Sequence, residues 1–115
     1  MDTWVVSFYR EFKAEFEQLS EVVQDELLAS ANLLKQLGPQ LGRPRVDTLN
    51  GSKHTNMKEL RFKADNGVWR VAFAFDPKRQ AVLLVAGSKS GTSERRFYRR
   101  LIEIADTRFD EYLTS

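Results

Sequence analysis

The apolar residues of this chain change their period, and that change limits the folds open to it. Up to Leu37 they recur every three to four residues, from Met57 they alternate, and after Ser93 a helical spacing returns. Phe8, Phe12, Phe16 and Leu19 predict one face of a helix, with Glu11, Glu15 and Glu17 on other faces. Ser20 is a cap candidate for a second helix whose stripe is Val22, Val23, Leu27, Ala31, Leu34 and Leu37. Gly38-Pro39 stops it, since glycine suits a left-handed position after a helix and proline cannot continue one. Trp4-Val5-Val6 reads as a short β-prone start.

Residues 38–56 are rich in glycine, proline and asparagine and read as an extended loop, long enough to be functional or partly ordered. In Met57–Lys63, Lys58, Leu60 and Phe62 fall on one side and Glu59, Arg61 and Lys63 on the other. Asp65-Asn66-Gly67 signals a hairpin turn. Val68–Phe75 then directs Trp69, Val71, Phe73 and Phe75 to the core, with Val68, Arg70, Ala72 and Ala74 opposite. After a turn at Asp76-Pro77-Lys78-Arg79, Ala81–Ser88 is apolar enough to be a central strand. Ser93 caps a last helix, Glu94–Leu113, with Phe97, Leu101, Ile104, Ala105 and Tyr112 as its buried stripe. The expected order is β-α-α-β-β-β-α. This is an α+β fold in one domain, residues 1–115, with a mainly antiparallel sheet packed against an N-terminal helical hairpin and a C-terminal helix.

Composition narrows the chemistry. With no cysteine there is no disulfide, thiolate zinc site or cysteine nucleophile, and one histidine excludes a multi-histidine metal site. No metal or cofactor is expected. No apolar run is long enough to span a membrane, and Met1-Asp2-Thr3 does not open like a signal peptide, so the expected location is cytoplasmic. Net charge is only +2, but residues 1–42 carry 3 Lys/Arg against 7 Asp/Glu, residues 43–100 carry 14 against 5, and residues 101–115 carry 1 against 4. A basic surface built by the middle of the chain follows, suited to phosphates or acidic protein segments.

Arg70 stands mid-strand beside Val68, Ala72 and Ala74. It either pairs with Glu59 across the hairpin or uses that carboxylate as an orienter while the small neighbours leave room for a ligand. Arg61 can join it as a phosphate clamp or belong, like Lys63, to a solvated polar face. Lys89, in Gly87-Ser88-Lys89-Ser90-Gly91, follows a strand where glycines permit close approach to a ligand, though the spacing is not that of a P-loop. His54 is a lone loop imidazole, more fitting as a hydrogen-bond partner than as an acid. Arg95, Arg96, Arg99 and Arg100 surround Tyr98 in the first half of the last helix, where cations oppose the helix dipole. Phosphate binding would account for them.

The ordered set of short motifs resembles the RelE/HigB superfamily of toxins from type II toxin–antitoxin systems, in its HigB-like, phage-related branch. It comprises Gly38-Pro39, Leu41-Gly42-Arg43-Pro44, Val46-Asp47, Leu49, Gly51-Ser52, Met57-Lys58-Glu59-Leu60-Arg61 and Trp69-Arg70-Val71. Ala72–Phe75, Gly87-Ser88-Lys89, Phe97-Tyr98 and Ala105-Asp106 complete it. The resemblance implies an endoribonuclease that cleaves mRNA, often on the ribosome, and is silenced by a co-encoded helix-turn-helix antitoxin of the HigA kind, through which alone it would meet operator DNA. It places basic active-site residues at Arg61, Arg70 and Lys89, a variable acid at Glu59 and a C-terminal aromatic at Tyr98.

Metal-free RNA cleavage needs a base for the 2′-hydroxyl, positive charge at phosphorus and a donor to the leaving oxygen. Arg70 and Lys89 are assigned to the phosphate charge, Arg61 to substrate positioning, Glu59 to the base, and Tyr98 or His54 to the acid. Lys58, Lys63, His54, Arg95, Arg96 and Arg99 are the further RNA contacts expected. The competing expectations are a ParE-like gyrase poison, a nucleic-acid-binding domain that does not cleave, and a degenerate toxin kept for antitoxin binding.

Overall fold

The alternating segments assemble into a five-stranded sheet in the computed structural model, which describes residues 3–115; Met1 and Asp2, part of the opening read above for a signal peptide, lie outside the described residues. The strands are β1 (Val5–Phe8), β2 (Val46–Thr48), β3 (Met57–Ala64), β4 (Gly67–Phe75) and β5 (Gln80–Ser88). The helices are α1 (Arg10–Glu17), α2 (Glu21–Leu37) and α3 (Glu94–Thr114). The order across the sheet is β1-β5-β4-β3-β2, with β1 parallel to β5 and every other pair antiparallel.

Local chemistry explains the joints. Asp65 and Asn66 both take positive φ, 50° and 61°, and close the β3–β4 hairpin in the handedness that a two-residue turn requires. Asp76 folds the next turn by accepting from the backbone N–H of Lys78 and of Gln80, each at 2.9 Å. Ser20 and Ser93 cap α2 and α3, accepting from Val23 N and Arg96 N. Gly38 has φ +54°, and a Cβ there would stand 2.3 Å from the Trp4 ring.

The sheet is covered on both faces. Phe12, Val23, Leu27 and Leu34 of the N-terminal hairpin meet Leu60, Phe62, Val71, Phe73 and Leu83 on one face. Leu101, Ala105 and Phe109 of α3 meet Met57, Ala72, Ala74, Val82 and Leu84 on the other. Burying a side chain the size of Phe73 or Leu83 stabilises by about 1.5–3 kcal/mol, so the meander is anchored from both sides.

Several expectations are corrected. Phe8 ends β1 rather than opening a helix; it stacks on Phe12 at 5.5 Å and meets Phe16 edge-on. The loop 38–56 is partly ordered, as its length suggested, with a 3-10 turn (Gly38–Gln40) and the short strand β2, paired to β3 with Asp47 opposite Glu59. Val22 and Leu37 are exposed, as is Ile104, while Phe109, outside the expected stripe, is buried in the α3 core. Ala72 and Ala74 are small because α3 lies on them, which closes the room beside Arg70 that their size suggested.

Candidate functional site

Where α3 begins, the sheet face under it changes from apolar to charged. Arg61 on β3 stands directly opposite Arg70 on β4, and Arg70 in turn opposite Gly87 on β5. Like charges facing each other across a ladder repel, and they hold only if an acid compensates. Glu59, two residues before Arg61 and on the same face, supplies it. Its Oε2 accepts from Arg61 Nη2 at 3.0 Å and its Oε1 from the Tyr98 hydroxyl at 2.8 Å. Arg70 Nε donates to the Tyr98 oxygen at 2.7 Å and lies 3.9 Å from Glu59 Oε1. The Arg70 guanidinium also sits 5.5 Å from the centres of both the Phe97 and Tyr98 rings.

Burial decides what each group can do. Glu59 is 4% exposed, so its carboxylate organises two guanidiniums and a phenol from below. The Arg61 side chain keeps 36% of its surface, the Arg70 side chain 14%. Hydrogen bonding to Glu59 raises the Arg61 pKa, keeping that cation charged. Burial raises the Tyr98 pKa and the bond to Glu59 adds to it, so the phenol keeps its proton at neutral pH.

A second acid, not singled out from sequence, extends the network. Asp47 of β2 lies 3.5 Å from Arg61 Nη2 and 3.2 Å from Arg43 Nε. The backbone N–H of Thr48, with Arg43 and Arg61, holds the Asp47 carboxyl below its ordinary pKa. Arg43, Arg61 and Arg70 therefore share two carboxylates, so these five side chains together keep one positive charge. The only advance signal was Val46-Asp47 among the motifs, because a three-residue strand is too short to show alternation.

The other candidates separate. Lys89, past the end of β5, and Lys63, near the β3–β4 hairpin, are exposed and form no ion pair among the described residues. Gly87, expected to admit a ligand, is closed instead by Phe97, whose ring a Cβ would approach to 3.0 Å. Lys58 lies on the strand parity opposite to Glu59, and its Nζ donates to Thr48 Oγ1. His54 is removed from the cluster: its Nε2 is 2.8 Å from Asp110 Oδ1 and its ring packs edge-on against Phe109. Asp110 is twelve residues beyond Tyr98 on α3, about 18 Å along the helix, so His54 fastens the 50–56 loop and is not placed as the acid.

The arginines of α3 split between two flanks. Arg95 and Arg99 share with Tyr98, Asn50, Gly51 and Ile102 a shallow hollow of about 600 Å³. Arg96 and Arg100 lie on the other flank, with Phe97, Leu101 and Ile104. Arg96 is thus not beside the Glu59 cluster.

A sheet between helices, with two facing guanidiniums held by a buried carboxylate and a phenol, defines a small α+β protein with a paired-arginine face. Residues 14–110 match the family described as Phage derived protein Gp49-like (DUF891), and the chain belongs to that family. Two Mycobacterium tuberculosis proteins named as HigB toxins are similar to it. HigB3 is 44% identical over 100 residues, covering 87% of this chain and 85% of the relative. HigB2 is 46% identical over 88 residues, covering 76% of this chain, and the match spans less than half, 43%, of HigB2. The crystal structure of isolated Escherichia coli RelE toxin has the same fold, with TM-score 0.51 at 13% identity over 84% of this chain and 95% of RelE. The likeness to RelE/HigB-type toxins is therefore carried by sequence and fold together. No described helix is long and apolar enough to cross a membrane.

Proposed function

We propose that this chain is the toxin of a type II toxin–antitoxin system and cleaves mRNA without a metal, at the face built by Arg61, Arg70, Glu59 and Tyr98. The observation that carries the reading is the register of Arg61 against Arg70, with Glu59 buried beneath them. Two guanidiniums set opposite each other across the ladder repel even over a shared carboxylate, whereas a phosphodiester bridging them would draw on both.

In this reading Arg61 and Arg70 each take a non-bridging phosphate oxygen. Drawing Arg61 upward frees Glu59 Oε2 to accept the proton of the 2′-hydroxyl. That oxygen attacks the adjacent phosphorus, the bond to the 5′ oxygen breaks, and the leaving oxygen receives the Tyr98 proton. The products are a 2′,3′-cyclic phosphate and a 5′-hydroxyl. As found, Glu59 and Tyr98 are bonded to each other, so the base and the acid part only when substrate enters between them. Lys89, Lys63, Arg95 and Arg99 would follow the flanking strand. The ribosome is the expected site of action, because a substrate already oriented asks less of so spare a constellation. The expected silencing partner is a helix-turn-helix antitoxin, and the expected location the cytoplasm.

The test is primer extension on total mRNA after induction, comparing the parent with Arg70→Ala at equal expression. New 5′ ends within open reading frames are expected for the parent, reduced at least about 100-fold in the variant. Undiminished growth arrest by Arg70→Ala would remove the assignment, and DNA breaks without mRNA loss would point to a topoisomerase target instead.

A further inference from the structure

The base and the acid of the cleavage reading come from different elements, and this gives the substrate a direction. Glu59 Oε2 faces Arg61 on β3, whereas the Tyr98 hydroxyl reaches the face from α3. An in-line attack sets the entering 2′ oxygen and the leaving 5′ oxygen on opposite sides of phosphorus. The 3′ part of the strand therefore leaves past Tyr98, toward Arg95 and Arg99. The 5′ part leaves over Arg61, toward the outer edge of β3.

At that edge β2 stops short. It covers β3 only from Lys58 to Leu60, and Arg61 N donating to Arg45 O at 2.7 Å is the last bond along the edge among the described residues. Alternation along a strand turns the Lys63 N–H to the same side as that of Arg61, where no strand lies beside it among the described residues. A hollow of about 440 Å³ opens here, walled by Pro44, Arg45, Arg61, Lys63, Val68 and, from α2, Glu26. Arg45 and Lys63 form no ion pair among the described residues, and Glu26, the one acid of the wall, pairs with none of its cations. Arg61 Nε is buried and has no hydrogen-bond partner among the described residues, so this guanidinium keeps a donor to satisfy. Lys63 lies two residues beyond Arg61, about 7 Å along β3, a step comparable to that between successive phosphates of an extended RNA strand.

We propose that the Arg45 guanidinium, the Lys63 ammonium and the Lys63 backbone N–H form a subsite for the phosphate one step 5′ of the scissile one. Two cations and a main-chain donor converge on one anion, next to the arginine that holds the scissile phosphate. The subsite rests on the cleavage reading of Arg61, Arg70, Glu59 and Tyr98, and adds to it the direction in which RNA crosses the face. Arg45 and Lys63 are positioning residues: they bind the strand and touch no reacting atom.

The experiment uses ribosomes programmed with a defined mRNA, so that the cut fixes the register. One phosphate at a time is replaced by an uncharged methylphosphonate, either one step 5′ or one step 3′ of the cut. Single-turnover cleavage is followed for the parent, Arg45→Ala, Arg45→Lys and the double variant Arg45→Ala/Lys63→Ala, at limiting and at saturating protein. In the parent the 5′ replacement should slow cleavage about tenfold or more at limiting protein and leave the saturated rate nearly unchanged. It should cost the double variant almost nothing, since the cations it opposes are gone. Arg45→Lys should keep most of the sensitivity, and the 3′ replacement should affect parent and double variant alike. The proposal is overturned if the 5′ replacement slows parent and double variant equally, or if the 3′ replacement is the one whose effect the variant abolishes. It is equally overturned if the double variant lowers the saturated rate as Arg70→Ala does. A parent that cuts without this coupling loses the subsite and keeps the cleavage reading, whereas a parent that cuts no RNA loses both. Urea unfolding that matches the parent shows that the variants are folded.

Discussion

Glu59 receives hydrogen bonds from two sides and stands between two cations, so neutralising it leaves Arg61 and Arg70 confronting each other with only Asp47, 3.5 Å from Arg61, to compensate. Glu59→Gln should cost about 3 kcal/mol of stability, read by urea unfolding, and should weaken RNA cleavage further than the stability loss explains. The alternation of Met57–Lys63 made the shared face of Glu59 and Arg61 readable in advance, whereas the bridge through Tyr98 joins residues 39 apart and depends on where α3 lies. His54 illustrates the converse: sequence offered it two roles, and only Asp110 and Phe109, more than fifty residues away, choose between them. Another phenol ties α3 to the sheet. Tyr112 donates to Asp76 at 2.5 Å, and burial, with that bond, pushes its pKa up to about 12. Because the folded pKa lies above the unfolded value of 10.0, this contribution is complete below pH 10 and is lost as pH rises through about 12. Tyr112→Phe should therefore be less stable at neutral pH and show a shallower alkaline decline, measured by urea unfolding across that window.

The three helices differ in how openly their positions were written. Ser20 and Ser93 were readable as caps because a hydroxyl before an apolar run has one strong local use, and both accept from the third residue on. Phe8 was misread because its spacing to Phe12 fits a helix, while β1 needs β5 beside it to be a strand at all. The parallel β1–β5 pairing carries no local signal, nor does a strand as short as β2. Ile104 shows the limit of the periodic stripe: helical spacing marks a face, but how much of that face is buried depends on where the sheet lies against it. The end of α2 is more strictly determined. Gly38→Ala combines a disfavoured φ with a Cβ that would overlap Trp4, and it should lower stability by more than about 1 kcal/mol. Trp4 fluorescence should shift with it, and an unchanged melting temperature would mean that this joint is not as tight as described.

Two clusters of middle-segment arginines lie on separate flanks of α3. One centres on Arg61 and Arg70 and continues past Tyr98 to Arg95 and Arg99; the other is the Arg96 and Arg100 rim beside β5. The uneven distribution along the chain was visible from residue counts, but its division by α3 was not, since neighbouring residues 95 and 96 leave a helix about 100° apart. The reading as a ribonuclease rests on the first surface. Its most direct test is the single-turnover cleavage rate on ribosomes programmed with a defined mRNA, with the ends of the products analysed. Arg70→Ala should cut that rate at least about 100-fold with its fold intact, and the parent's products should end in a 2′,3′-cyclic phosphate and a 5′-hydroxyl. Equal rates for parent and variant, or a parent that leaves the mRNA whole, would contradict the account.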